Sequence, residues 1–131
     1  MVCLDTSFII ALLRRDERAL AKLEEYTATQ TRLTTTPITA CELFKGAYKS
    51  KKREEELQKV KKTLSFLEVL HFSIEASERY GRLMASEGLQ GAPIGDLDAM
   101  IAGIALTHGE SVVTSNLKHF ERVEGLRVES W

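Results

Sequence analysis

Val2-Cys3-Leu4-Asp5-Thr6-Ser7-Phe8-Ile9-Ile10-Ala11-Leu12-Leu13 decides the fold. Val2-Cys3-Leu4 is a short buried strand. It stops at an acid and two hydroxyls, and the apolar run Phe8–Leu13 follows as a helix. The same alternation repeats downstream. Ala19, Leu20, Leu23 and Tyr26 recur near the helical period and predict a second helix. Leu33-Thr34-Thr35-Thr36 has strand propensity and ends at Pro37, which cannot continue a central strand. A helix is expected to start at Thr39-Ala40-Cys41-Glu42, and a longer charged one to run from about Arg53 to Leu67. Glu68–Phe72 reads as a strand. Ser73 caps a helix carried by Ala76, Tyr80, Leu83 and Met84 and broken by Gly88 and Gly91. After Pro93-Ile94-Gly95 an apolar helix runs from about Asp96 to Thr107, ended by Gly109. Ser111–Ser115 is the last central strand, and Leu126–Glu129 an edge strand. Strands alternating with helices predict an α/β fold, its mainly parallel sheet flanked by helices, in a single domain over residues 1–131.

Composition agrees. Of 131 residues, 44% are hydrophobic and 28% charged, the balance of an ordinary globular chain. No run approaches the roughly 20 apolar residues of a membrane span. The N-terminus has no basic segment of the signal-peptide kind, so the expected location is cytoplasmic. Cys3 and Cys41 read as buried free thiols, a lone disulfide being the other reading. They and the three histidines lack zinc-site spacing. A net charge of -1 leaves any affinity for nucleic acid to local patches. One such patch lies between Lys45 and Lys62, where eight basic residues face three glutamates; Lys45, Lys49, Lys52 and Arg53 are its candidates for holding phosphates. The alternative is a solvated helix face with pairs such as Glu55–Lys59.

Three separated carboxylates are the candidates for chemistry, each with a structural reading beside it. Asp5 follows the first strand directly, where ligands bind in open α/β sheets; it is equally a favoured helix N-cap. Glu42 completes Thr39-x-x-Glu42, a capping box in which the acid reaches back to the cap residue. Asp96 and Asp98 lie two residues apart, roughly 200° around a helix, and cannot share a face. Asp96 follows Gly95 as a natural cap. Asp98 falls inside the helix above Ile101, Ala102 and Ala105, where a carboxylate is costly unless paired or bound to a cation. Oxygen donors without convergent histidines or thiols favour Mg²⁺ or Mn²⁺. No Gly-rich phosphate loop is present. His71, His108 and His119 are scattered and assigned to no chemistry. Tyr48, Tyr80 and Met84 are read as core or subunit surface.

In this order, Leu4-Asp5-Thr6-Ser7, Thr39-Ala40-Cys41-Glu42-Leu43-Phe44-Lys45-Gly46, Asp98-Ala99-Met100-Ile101-Ala102-Gly103, Val113-Thr114-Ser115-Asn116 with His119-Phe120, and the ending Arg122–Trp131 resemble the PIN-domain nucleases, specifically the VapC toxin group of toxin–antitoxin pairs. The resemblance implies a PIN-like fold and a Mg²⁺- or Mn²⁺-dependent endoribonuclease, a hydrolase of phosphodiester bonds with tRNA among its possible substrates. It assigns the first three acids to Asp5, Glu42 and Asp98, with Asp5 and Asp98 the principal metal ligands. The family's fourth acidic position falls at Asn116, which puts a second metal in doubt. Thr6 and Thr114 would be polar supports, and Asp96 a cap first and an auxiliary acid second. A homodimer and a cognate antitoxin that blocks the acidic site are also implied. Asn116 motivates a second reading, a PIN-like RNA-binding module with little catalysis. A third, a phosphotransferase with Asp5 as nucleophile, expects a second Asp where Ser7 stands.

Overall fold

The computed structural model describes residues 1–87 and 94–131. Its elements run β1 (Val2–Leu4), α1 (Thr6–Leu13), α2 (Glu17–Ala28), β2 (Leu33–Thr35), α3 (Pro37–Lys49), α4 (Arg53–Ser65), β3 (Glu68–Val69), α5 (Ile74–Glu87), α6 (Asp96–Thr107), β4 (Ser111–Val113), α7 (Leu117–Phe120) and β5 (Val128–Glu129). The predicted breaks at Gly88 and Gly91, and Pro93, lie outside the described residues.

The five strands form one sheet in the order β3-β2-β1-β4-β5, and every pairing is parallel. Parallel neighbours need crossover connections, here helices, and helices cover both faces of such a sheet. Side chains of a strand alternate between faces. Val2 and Leu4 of β1 and Val113 of β4 therefore join one core with Phe8, Ile9 and Leu43. Cys3 and Val112 join the other with Ile101, Ile104 and Phe120. β1 lies at the centre, so its carboxyl end, and Asp5 just beyond it, is enclosed by neighbours on both sides.

Local chemistry explains the helix ends, and two expectations are corrected. Thr36, not Thr39, caps α3: its hydroxyl oxygen accepts from the Thr39 N–H at 3.1 Å, and Pro37 takes the first helical position. Proline favours that position because its missing N–H is not needed there. Thr39 is thus already inside the helix, the capping box does not form, and Glu42 is free for another partner. Gly95 is the backbone cap of α6, and Asp96 makes no capping bond. α6 spans Asp96–Thr107 as expected, which puts Asp98 in its first turn, where the helix dipole favours an acid.

Two glycines carry different loads. Gly109 adopts φ 68° just past α6, the left-handed residue that closes many helices. At Gly103, inside α6, a Cβ would lie 2.8 Å from the Ala76 carbonyl oxygen, so its absence seats α5 against α6 backbone to backbone. Cys3 is buried as expected, but Cys41 is exposed on α3; both thiols are free. Tyr48, expected in a core or subunit surface, is 56% exposed. The strand expected over Glu68–Phe72 pairs only through Glu68 and Val69. Among the described residues no helix is long and apolar enough to cross a membrane.

Candidate active site

Asp5 leaves β1 at the carboxyl end of the sheet and is 2% exposed. It occupies the cap position of α1 but makes no capping hydrogen bond. Its Oδ2 accepts instead from the hydroxyls of Thr114 at 2.7 Å and Ser7 at 3.1 Å. These hydroxyls are themselves held: Thr114 Oγ1 accepts from the Asn116 N–H at 3.0 Å, and Ser7 Oγ from the Ser115 N–H at 3.0 Å. The chain leaving β4 thus fixes the carboxylate leaving β1, as adjacency of the two strands requires.

Glu42 comes from the middle of α3. Its Oε1 accepts from Thr6 Oγ1 at 2.7 Å, so the hydroxyl next to Asp5 orients the second acid. Asp98, from the first turn of α6, accepts on Oδ2 from or is paired with Nδ1 of His119 at 2.9 Å. The three acids sense one another. Burial foremost, and then the Asp98 charge, raises the Asp5 carboxyl above its ordinary pKa, against the lowering effect of the Thr114 hydroxyl. Burial, then the charges of Asp5 and Asp98, raises Glu42; the Thr6 hydroxyl and Lys45 oppose this. Asp5, Glu42 and Asp98 therefore form one electrostatic group.

Asp5 Oδ1 is the decisive atom: it is buried and has no hydrogen-bond partner. A buried carboxylate oxygen left unpaired is expensive and asks for an explanation, a bound cation among them. The donors nearby are hard oxygens, which suits Mg²⁺ or Mn²⁺. Among the described residues no group of three or more Asp, Glu, His or Cys side chains is arranged to hold a metal ion by itself. Mg²⁺ keeps several of its waters when protein-bound and needs only one or two carboxylates, so the unpaired Asp5 Oδ1 is the observation that fits it.

The other candidates separate. Asp96 is drawn away: its Oδ1 accepts from the Tyr80 hydroxyl at 2.6 Å, which holds the Tyr80 phenol above its ordinary pKa. Asn116 is exposed at the rim, its carbonyl accepting from the His119 and Phe120 N–H groups. Lys45 is close enough to act on Glu42, whereas Lys49, Lys52 and Arg53 lie exposed where α3 passes into α4, and Arg53 Nε donates to the Tyr48 carbonyl at 3.1 Å. His119 is the residue that sequence reasoning missed. Its role depends on α7 packing beside α6 after the β4 return, a juxtaposition no spacing in the chain announces; the available signal was that His119-Phe120 stands among the segments that carry the family resemblance.

The sequence profile of the PIN domain matches residues 2–126. The chain belongs to the PIN domain family. Within it, the chain stands with the VapC proteins. It is 40% identical over 108 residues to the tRNA(fMet)-specific endonuclease VapC of Salmonella typhimurium, covering 82% of each chain. Over 128 residues it is 34% identical to the tRNA(fMet)-specific endonuclease VapC of Shigella flexneri, 98% of this chain and 96% of that one. Its structure superposes on VapBC2 from Rickettsia felis bound to a promoter DNA fragment with a TM-score of 0.90 and 32% identity, covering 100% and 99% of the two chains. The five-stranded parallel sheet is thus that of a PIN domain, and the phosphotransferase reading of Asp5 gives way to a nuclease family.

Proposed function

We propose that this chain is the toxin of a toxin–antitoxin pair, a divalent-metal-dependent endoribonuclease that cuts structured RNA, tRNA foremost, in the cytoplasm. The observation that carries this reading is the unpaired, buried Oδ1 of Asp5 beside two further carboxylates, in a chain whose relatives are named as ribonucleases and a tRNA endonuclease. Asp5 and Asp98 would hold the ion, and Glu42 would complete the set. Mg²⁺ or Mn²⁺ supplies Lewis acidity, which activates water for in-line attack and neutralises charge gathering on the phosphate. The protein's own part is positioning. Thr114 and Ser7 lock one oxygen of Asp5 and leave the other without a partner, where it would be available to an ion, and Thr6 aims Glu42. Asn116, in the place of a fourth acid, offers an amide to a water or a substrate oxygen. Asp96, tied to Tyr80, joins α6 to α5 and is drawn away from the site. Lys45 offsets the acidic group and, with Lys49, Lys52 and Arg53, extends a cationic track for flanking phosphates. A cognate antitoxin and a homodimer complete the proposal; solved relatives are VapBC assemblies.

Incubation of the purified protein with tRNA in Mn²⁺ or in EDTA tests this. Cleavage is expected in Mn²⁺, none in EDTA, and none from Asp98→Asn in either. Metal-dependent cleavage that survives Asp98→Asn sinks the site assignment. Tight RNA binding with no cleavage under any condition favours a binding module instead.

A further inference from the structure

Each of the three acids has one oxygen engaged by a side-chain donor. Thr114 and Ser7 hold Oδ2 of Asp5, Thr6 holds Oε1 of Glu42, and His119 Nδ1 meets Oδ2 of Asp98 at 2.9 Å. Two of the acids are thus held by hydroxyls, and the third by an imidazole on the short helix α7. An ionised carboxylate can only accept, so the ring nitrogen that bonds to it is the donor.

An exposed ion pair would give the same contact. His119 is 48% exposed and Asp98 18%, and pairs at the surface contribute little because long side chains must be ordered to make them. Two observations set this pair apart. The first is that the chain leading to His119 is already fixed. Thr114 Oγ1, which donates to Asp5, accepts from the Asn116 N–H at 3.0 Å, and the Asn116 carbonyl accepts from the His119 N–H at 3.1 Å. The Ser115 N–H donates to the Ser7 hydroxyl at 3.0 Å, and fully buried Phe120 anchors α7 beside α6. The second is that this one segment, 114–119, carries the donor to Asp5 at one end and the donor to Asp98 at the other. Those acids arrive on different elements, one after β1 and one in α6. Asn116, where the family has a further acid, joins the two donors through its backbone.

We propose that His119 is a positioning residue for the metal-dependent reaction: its Nδ1–H holds Oδ2 of Asp98 and leaves Oδ1 as the oxygen available to an ion, and segment 114–119 thereby sets the separation of Asp5 and Asp98. The inference rests on the metal-dependent nuclease reading. Mg²⁺ demands near-ideal geometry of its ligands, so a carboxylate free to turn about its own axis is a poorer ligand than one held by an oxygen. Donors that orient metal-bound carboxylates typically change metal affinity or activity by roughly tenfold to a hundredfold when they are removed. In this role the ring exchanges no proton with the substrate and does not touch the ion.

Three variants of the full-length protein separate these roles. The amide nitrogen of asparagine lies as many bonds from Cα as Nδ1 of histidine does, and that of glutamine lies one bond farther. Mn²⁺ affinity is measured by calorimetry without RNA, and kcat and KM on tRNA at saturating Mn²⁺. His119→Ala should weaken Mn²⁺ binding by roughly tenfold or more and lower kcat by a similar factor, with KM for RNA within about twofold of the parent. His119→Asn should return both to within about threefold of the parent, whereas His119→Gln should behave as His119→Ala does. Trp131 fluorescence verifies the fold of each variant. His119→Ala with the parent's Mn²⁺ affinity and kcat overturns the inference and leaves the contact a surface ion pair. A loss in His119→Ala that His119→Asn does not recover also overturns it, and gives the ring a direct part as a ligand or in proton transfer. A parent protein that binds no Mn²⁺ and cleaves no RNA overturns the metal-dependent nuclease reading itself, which is a different result.

Discussion

Two buried acids stand at opposite ends of the same central strands. Asp5 follows β1 at the carboxyl end of the sheet; Glu110, 3% exposed, precedes β4 at the amino end. Each accepts a short hydrogen bond from a threonine, Asp5 from Thr114 at 2.7 Å and Glu110 from Thr34 at 2.6 Å. There the likeness stops. Glu110 stands beside a thiol: its neighbour is Cys3, whose thiol is pushed far up by burial first and by the Glu110 charge second, and it shares the field of the Arg32 cation with Glu68. Asp5 has two further acids in its field and an oxygen with no partner. Burial of an acid is therefore no mark of chemistry by itself. An unpaired oxygen within a group of like charges is.

The sharpest way to break this comparison is to neutralise both acids in turn. Asp5→Asn should lower RNA cleavage on the order of 10³-fold, measured as kcat/KM on tRNA in Mn²⁺. Glu110→Gln should leave cleavage within about twofold. Equal losses from the two would mean that burial, not grouping, was what mattered.

A smaller effect should follow from the threonine that holds Asp5. Thr114→Val removes one charge-assisted hydrogen bond, about 1.5–3 kcal/mol, and cleavage should fall by about tenfold to a hundredfold. Thr114→Ser should restore most of it, because the hydroxyl is what Asp5 needs.

The third effect is on stability against pH in metal-free protein. Asp5 and Glu42 are raised above their ordinary pKa values by burial and by neighbouring acids. The folded state then holds more protons than the unfolded state just above the ordinary carboxylate range. Stability must fall as pH rises from about 4 through the raised values. Thermal melts in EDTA should show this decline, Asp5→Asn should flatten it, and Mn²⁺ should reverse it near neutrality. A melting temperature that climbs over the same interval would contradict the grouping of the acids.

The smallest effect should be at the amino end. Glu110→Gln keeps an acceptor for Thr34 and should change urea stability by less than about 1 kcal/mol. Trp131, packed edge-on against Phe8 with ring centroids 4.9 Å apart, is the chain's single tryptophan and reports the unfolding.

The same contrast explains what could be read from the chain alone. The alternation of Val2-Cys3-Leu4, Phe8–Leu13, the threonine strand and the Asp96–Thr107 helix is local, and it was sufficient for a parallel α/β sheet. Asp5 was visible because a strand end is a position along the chain. Its partner Thr114 is 109 residues away, and the pairing of Asp98 with His119 and of Glu42 with Thr6 likewise depends on which strands and helices become neighbours. Thr39-x-x-Glu42 misled because two helix-start signals overlapped. Thr36 before Pro37 is the stronger, since proline at the first helical position leaves Thr39 no cap to make. The start of the helix at Asp96 was read correctly, but Asp96 was misread as its side-chain cap: Gly95, without a side chain, caps α6 through its backbone alone.

The missing side chain at Gly103 has a mechanical consequence. With α5 seated on α6 at that point, and Tyr80 of α5 bonded to Asp96 near the start of α6, the two helices are fixed to one another at two places and form one arm. Asp98 rides close to the end of that arm. A helix that contributes no acid thereby aims one, and a bulky residue at position 103 would tilt the arm and carry the carboxylate with it.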